Sequence, residues 1–246
     1  MIKKIINKLI NEKKFVRGDT NKNDIAGTLN KCWGYCFSNH FLGDYVEFGL
    51  YHGDSFQESI KQYNLFMQWV NSQLLSDEKW RVEIAKNSIF LNNKPVFHGL
   101  DTFEGMPQNK EGNIIFKEKN FIANFKDVKK KIERVANKKI DYRLYKGLFI
   151  EKANDLKNSL GDKQVAIINF DCDLESSTED SLSIIKNNIG IGTILLFDDY
   201  NAFNSNNKYG QRKAFNEFSK KTNLKFEKWF NYKYQGQSFL CVELEE

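Results

Sequence analysis

Two short acidic segments stand where two apolar runs end. Phe170-Asp171-Cys172-Asp173 follows Val165-Ala166-Ile167-Ile168, and Phe197-Asp198-Asp199-Tyr200 follows Ile194-Leu195-Leu196. Such apolar runs read as buried strands, and carboxylates at their ends are costly to desolvate unless paired, hydrogen-bonded or metal-bound. Four aspartates offer hard oxygen donors suited to Mg²⁺, Mn²⁺ or Ca²⁺, and no His/Cys set accompanies them, which argues against zinc. The plainer alternative is a solvated acidic rim.

Three further constellations bear on chemistry. In Glu47-Phe48-Gly49-Leu50-Tyr51-His52-Gly53-Asp54-Ser55, glycines at Gly49 and Gly53 let backbone approach a ligand closely, although the spacing is not that of dinucleotide folds. A tight strand-to-helix turn needs the same residues. Asp101 ends a second apolar run, where an acid can accept hydrogen bonds from both ribose hydroxyls of a nucleoside; a turn or cap aspartate is the alternative. Cys32, Cys36 and His40 recur every four residues, one face of a helix. No further ligand is evident, so buried small side chains and a satisfied histidine are expected there. His98, inside an apolar run, reads as structural, whereas His52 in the glycine turn is a candidate to face a ligand.

The elements that must position these residues alternate. Strands are predicted at residues 45–49, 95–100, 140–145, 164–170 and 193–197, with helices at 55–73, 125–136, 150–159, 177–187 (opened by Ser/Thr caps) and 211–220. A closing strand pair at 225–230 and 238–243 has no helix between its members and should be antiparallel. Residues 74–93 are ambiguous, with another helix as one reading, and 110–124 show no clear period, as in an insertion or lid. The pattern predicts an α/β fold, a doubly wound, mostly parallel, seven-stranded Rossmann-like sheet with an antiparallel C-terminal strand pair. Its strand ends would gather the acidic segments at one mouth. Residues 1–40 are expected to form an N-terminal helical extension, and 41–246 the main domain.

Composition narrows the classes. The chain has 246 residues, 41% hydrophobic with 21 Phe, enough for a sizeable core. A net charge of +5 is too mild for a nucleic-acid binder but would suit an anionic substrate. The 4 Cys are too few and scattered for a disulfide framework, which fits a reducing, cytoplasmic setting. No apolar run is long enough to span a membrane, and residues 1–10 read as a basic amphipathic helix, not a signal peptide.

These motifs, in this order, resemble the macrocin O-methyltransferase family, metal-dependent class I methyltransferases acting on sugar hydroxyls. The matching segments are Val46-Glu47-Phe48-Gly49 with Gly53-Asp54-Ser55; Leu100-Asp101-Thr102-Phe103-Glu104-Gly105-Met106-Pro107; Lys146-Gly147-Leu148-Phe149; Asp171-Cys172-Asp173-Leu174 through Ser177-Thr178; and Phe197-Asp198-Asp199-Tyr200. The resemblance implies S-adenosylmethionine as methyl donor. Glu47, Gly49 and Gly53 would line its methionine end and Asp101 its ribose, with Ser55, Thr102, Gly147 and Phe149 completing the cofactor set. Asp173, Asp198 and Asp199 would hold Mg²⁺ or Mn²⁺, and Asp171 would sit between donor and metal. Two departures concern the acceptor side: Glu175 stands one place earlier than the family's acid, and Tyr232-Lys233-Tyr234-Gln235-Gly236-Gln237-Ser238 does not look like the macrolide-sugar enzymes.

The mechanism this implies has a base, Asp173 or His52, taking a proton from a sugar hydroxyl that attacks the sulfonium methyl group. The acceptor would be a small-molecule glycoside or nucleotide-linked sugar, in natural-product or surface-glycan (polysaccharide) biosynthesis. Nucleic acid is not expected as a partner, and a homo-oligomer is. Two rivals remain open. Asp171-Cys172-Asp173 is an Asp-x-Asp motif, used by many glycosyltransferases to hold a metal against a nucleotide-sugar diphosphate; that reading gives Asp198, Asp199 and the glycine turn no role. The other is a non-catalytic S-adenosylmethionine-binding protein.

Overall fold

The structure is a computed structural model that describes residues 24–109 and 115–244. The helix expected at residues 1–10 lies outside the described residues. Among them the chain runs α1 (Ile25–Ser38), β1 (Asp44–Phe48), α2 (Asp54–Gln73), α3 (Lys79–Lys86), β2 (Phe97–Asp101), α4 (Phe125–Ala136), β3 (Tyr142–Lys146), α5 (Phe149–Leu160), β4 (Val165–Phe170), α6 (Glu175–Ile185), β5 (Ile194–Phe197), α7 (Gly210–Lys221), β6 (Leu224–Tyr232) and β7 (Gly236–Leu244).

All strands join one sheet of seven in the order β3-β2-β1-β4-β5-β7-β6. The first five are parallel, and β7 runs antiparallel to both β5 and β6. This is the expected doubly wound sheet with its antiparallel C-terminal pair. β1 and β4 are buried along their whole length, as continuous apolar runs covered on both faces must be. One apolar cluster packs α1, α2 and α4 on one face, and a second packs α5, α6 and α7 on the other.

Local sequence explains the helices that matter here. In α4 the buried Val128, Ile132 and Ala136 fall four apart, leaving a basic outer face. Asn124 caps it by accepting from the Lys126 and Asp127 N–H groups at 3.0 and 3.3 Å. α1 is capped by Asp24, which accepts from Gly27 N–H at 2.8 Å. It buries Leu29, Cys32, Trp33, Cys36 and Phe37; the Trp33 indole donates to Ser59 Oγ at 3.0 Å. The described part of the stretch expected as an N-terminal extension therefore shares the core of the sheet.

The structure departs from several expected boundaries: β2 and β3 begin two residues later, at Phe97 and Tyr142, and the closing pair is longer, Leu224–Tyr232 with Gly236–Leu244. α6 begins at Glu175, not residue 177; its N-cap is Leu174, without a side-chain cap bond, and the Ser/Thr residues fall inside the helix. The ambiguous residues 74–93 hold α3 and a short 3₁₀ turn, Ile89–Leu91. In 115–124 the described backbone makes an isolated bridge between Glu104 and Ile122. No helix among the described residues is long and apolar enough to cross a membrane.

Candidate active site

The parallel ladder itself brings the sequence motifs together. Phe48, Phe170 and Phe197 stand side by side as the last residues of β1, β4 and β5. Their rings stack in one row, Phe48 on Phe170 at 5.7 Å and Phe170 on Phe197 at 4.5 Å. The residues that follow must then emerge together. Asp171 N–H donates to Phe48 O at 2.9 Å, and Asp198 N–H to Phe170 O at 3.2 Å. Gly49 has φ +93°, and a Cβ there would lie 1.9 Å from the Asp171 carbonyl oxygen, so the first strand can meet the fourth only with glycine at this point.

A cleft of about 360 Å³ opens above these ends, lined on one side by Gly49, Tyr51, Asp101, Thr102, Leu148 and Phe149, and on the other by Asp171, Asp173, Ser176 and Asp180. That is within the usual size of small-ligand sites and at the carboxyl ends of the strands. Met106 and Phe121 add apolar wall. The described lining holds no Lys or Arg.

Asp101 is fixed by backbone. Its Oδ2 accepts from the Leu50 and Tyr51 N–H groups, each at 2.7 Å, and Oδ1 from Phe103 N–H at 2.6 Å. A carboxylate offers about four acceptor positions, so this arrangement orients the group and leaves one for a ligand. Glu47 is fully buried and accepts from Tyr45 Oη and Ser55 Oγ. Burial pushes its carboxyl up to about 7, against the hydrogen bonds from Ser55 and Tyr45. Gly53, with φ +74°, is the N-cap of α2. Gly147, with φ +143°, donates to Asp101 O at 3.0 Å. Thr102 Oγ1 donates to Gly105 O at 2.7 Å and shapes the loop after β2. Phe149 packs edge-on against Phe48.

The four aspartates divide differently from the expectation. Asp171, Asp173 and Asp199 each place an oxygen within 4.8 Å of the others. Asp198, expected as a metal ligand, is instead paired with Lys233, whose Nζ lies 2.8 Å from Oδ1 and 2.9 Å from Oδ2. Asp171, expected between donor and metal, completes the triplet. Burial first, then the charge of Asp198, raises the Asp171 carboxyl well above the usual range. Burial and the hydrogen bond with Asp199 do the same for Asp173. Asp173 adopts φ +59°, an unusual conformation for a non-glycine residue and one that recurs at functional sites.

The histidines and cysteines separate cleanly. His52 is exposed, with its ring 3.7 Å from that of Tyr51, and is not part of the cleft lining. His98 is buried between Tyr145 Oη at 3.0 Å and Asp44 Oδ2 at 3.2 Å, a structural role as expected. Cys32 and Cys36 are buried free thiols, while His40 is exposed beyond the end of α1.

Two residues that sequence reading passed over complete the site. Gln211 at the start of α7 accepts from Asp199 N–H at 2.9 Å and donates to Phe170 O at 3.0 Å, tying the ends of β4 and β5. Lys233 comes from the turn between β6 and β7; its place in the segment that departs from the family pattern was the available signal.

A family model described as macrocin-O-methyltransferase (TylF) matches residues 89–227. Among curated proteins, none matches this chain in sequence. Among solved structures, a calicheamicin methyltransferase superposes with a TM-score of 0.64 at 15% identity, covering 87% of this chain and 77% of that one. The O-methyltransferase NovP gives 0.62 at 15% identity, over 89% and 79%. An O-methyltransferase from Bacillus cereus in complex with S-adenosylhomocysteine gives 0.53 at 11% identity, over 98% and 89%. At these identities the likeness is one of fold.

Proposed function

The chain belongs to the macrocin O-methyltransferase family, and from that premise we propose that it moves the methyl group of S-adenosylmethionine to a sugar hydroxyl with the help of a divalent ion, Mg²⁺ or Mn²⁺. That it is an S-adenosylmethionine-dependent O-methyltransferase follows from membership; the metal, the acceptor and the residue roles are the proposal. The observation that carries it is the meeting, in one cleft, of the backbone-held Asp101 with the aspartates of β4.

The donor would lie over the ends of β1 and β2. Asp101 would hold the ribose with its remaining acceptor position. Glu47, Gly49, Gly53 and Ser55 would surround the methionine end, and Thr102, Gly147 and Phe149 the nucleoside end. Oxygen atoms of Asp171, Asp173 and Asp199 within 4.8 Å of one another suit a hard divalent cation. When bound, that cation would lower the pKa of an acceptor hydroxyl and fix its neighbour. Of the two bases expected, we take Asp173, because it lines the cleft and His52 does not. A carboxylate oxygen of Asp173 would take the proton of the acceptor hydroxyl as the hydroxyl oxygen attacks the sulfonium methyl in line, so that the S–CH3 bond breaks and S-adenosylhomocysteine leaves. Much of the acceleration comes from holding two reactants together away from water.

For the acceptor, a cleft whose described lining lacks Lys and Arg but includes Tyr51, Phe121, Leu148 and Ile150 favours a glycoside over a sugar linked to a nucleoside diphosphate. The biosynthetic setting, natural product or surface glycan, follows from which glycoside is accepted. A homo-oligomer is part of the same reading and is measured by light scattering. The glycosyltransferase alternative gives no account of the family match or of Asp199 joining Asp171 and Asp173.

Calorimetry with S-adenosylhomocysteine tests the donor half. Asp101→Asn should weaken binding at least about tenfold, the scale of one lost charge-assisted hydrogen bond, whereas His52→Ala should leave it unchanged. Unaltered affinity in Asp101→Asn would remove Asp101 from the donor site.

A further inference from the structure

Cationic charge in this chain is unevenly placed. Residues 117–139 carry nine Lys and Arg against three Asp and Glu, and residues 1–22 seven against two, while the whole chain is only +5, so the remainder is net acidic. The first of these stretches includes α4, and the fold turns its charge outward. α4 buries Val128, Ile132 and Ala136, so Lys126, Lys130 and Arg134, successively four residues apart, form a row on the opposite face. All three are exposed. The ion pairs of this helix use their neighbours, Lys129 with Glu133 and Lys131 with Asp54, and leave the row without an acidic partner among the described residues.

The row begins where apolar side chains are also exposed. Phe121 and Ile122, just before the N-cap of α4, are 40% and 58% exposed. Phe121 meets Tyr51 edge-on at 5.5 Å at the cleft, and Ile122 stands outside the cleft lining, bridged to Glu104 through backbone. Phe125, the first residue of α4, packs on Phe103 at 4.9 Å and so fixes the helix to the loop after β2. Ile150, also in the cleft lining, is 59% exposed. Exposed apolar side chains beside a cationic row fit a partner that is both anionic and apolar. A second copy of this face would repel it by charge. Nucleic acid matches the cations through its phosphates but gives the aliphatic Ile122 and Ile150 nothing to enter. An anionic bilayer supplies phosphate at its surface and hydrocarbon beneath.

We infer that the rim of the cleft at Ile122 and the outer row of α4 together dock on an anionic lipid bilayer. Lys126, Lys130 and Arg134 lie against the head-group phosphates, and Ile122 enters the head-group layer. The contact uses neither donor nor metal, so it stands or falls independently of the reaction proposed above.

Co-sedimentation of the full chain with vesicles tests this, using phosphatidylcholine alone and an equimolar mixture with phosphatidylglycerol. Wild type should pellet with the anionic vesicles at low salt and not with the neutral ones. Most of it should be released at about 1 M NaCl, where the Debye length falls to ~3 Å. Lys126→Gln, Lys130→Gln and Arg134→Gln combined should lower the partition coefficient about a hundredfold, at about fivefold for each basic side chain near an anionic surface. Ile122→Ser should lower it at least about threefold. A control triple, Lys157→Gln, Lys186→Gln and Lys220→Gln, removes three exposed cations from the α5–α7 face of the sheet and should change it less than about threefold. Equal losses in the two triples, undiminished binding in the α4 triple, or equal binding of wild type to both vesicles would overturn the inference. So would binding of wild type to RNA with none to anionic vesicles. The lipid and salt arms need wild type alone, so they decide even where a variant loses its native circular dichroism.

Discussion

At the scale of single residues, the site is built from carboxyl groups held against their ordinary ionisation. Glu47 shows this most sharply, with a carboxyl raised from 4.5 to about 7 by burial. A carboxyl whose pKa is higher folded than unfolded binds more protons in the native state. Its contribution is intact at low pH and is lost as pH rises from about 4.5 through about 7. By that sign, Glu47→Gln should stabilise the ligand-free protein at pH ~8, by about 3 kcal/mol at most. It should change stability little near pH 4 and weaken S-adenosylhomocysteine binding. Urea unfolding at the two pH values checks this, and a variant equally destabilised at both would contradict it. Residue chemistry was also where the sequence could be read furthest. The aspartates, the glycine turn and Asp101 were all named by type and spacing. The division of labour among the aspartates was not legible, because Asp198 is paired by Lys233, 35 positions away, and no local pattern encodes that contact.

At the scale of elements, the parallel ladder converts sequence position into proximity. Each site segment follows a phenylalanine that ends a strand, and the stacked Phe48, Phe170 and Phe197 fix the height from which Gly49, Asp171 and Asp198 leave. Phe170 sits in the middle of the row and is fully buried. Phe170→Ala should cost about 3–5 kcal/mol of stability, measured by denaturant unfolding, and a loss below ~1 kcal/mol would show that the row is not what anchors the strand ends. Strand and helix positions were largely readable, since buried parallel strands and amphipathic helices carry strong patterns. The start of α6 was misplaced by two residues because Ser/Thr residues favour caps, yet here Leu174 takes the cap and Glu175 supplies the acid of the first turn. α3 falls in the stretch read as ambiguous with another helix as one reading; a short helix that buries only Ala85 carries a weak pattern.

At the scale of the whole molecule, the sheet separates two tasks across its switch point between β1 and β4. The β1–β2 side presents the backbone-held Asp101, proposed to hold the donor's ribose, and the β4–β5 side presents the clustered carboxylates. The antiparallel β6–β7 pair returns to that second side and delivers Lys233. The doubly wound architecture was readable from alternation alone; that its last hairpin reaches back into the site was not, because it depends on β7 pairing with β5. The proposed preference for a glycoside is likewise argued from the assembled cleft, since the chain's net charge of +5 suggested an anionic substrate while the described lining carries no Lys or Arg. The most direct measurement is transfer of a labelled methyl group from S-adenosylmethionine to a panel of glycosides, run with Mn²⁺ and with excess chelator, on wild type and Asp199→Asn. Label is expected on a sugar oxygen with Mn²⁺, and at least a hundredfold less, roughly the scale of metal Lewis-acid assistance, with chelator or in the variant. Undiminished transfer in chelator, or label on nitrogen or carbon, would contradict it.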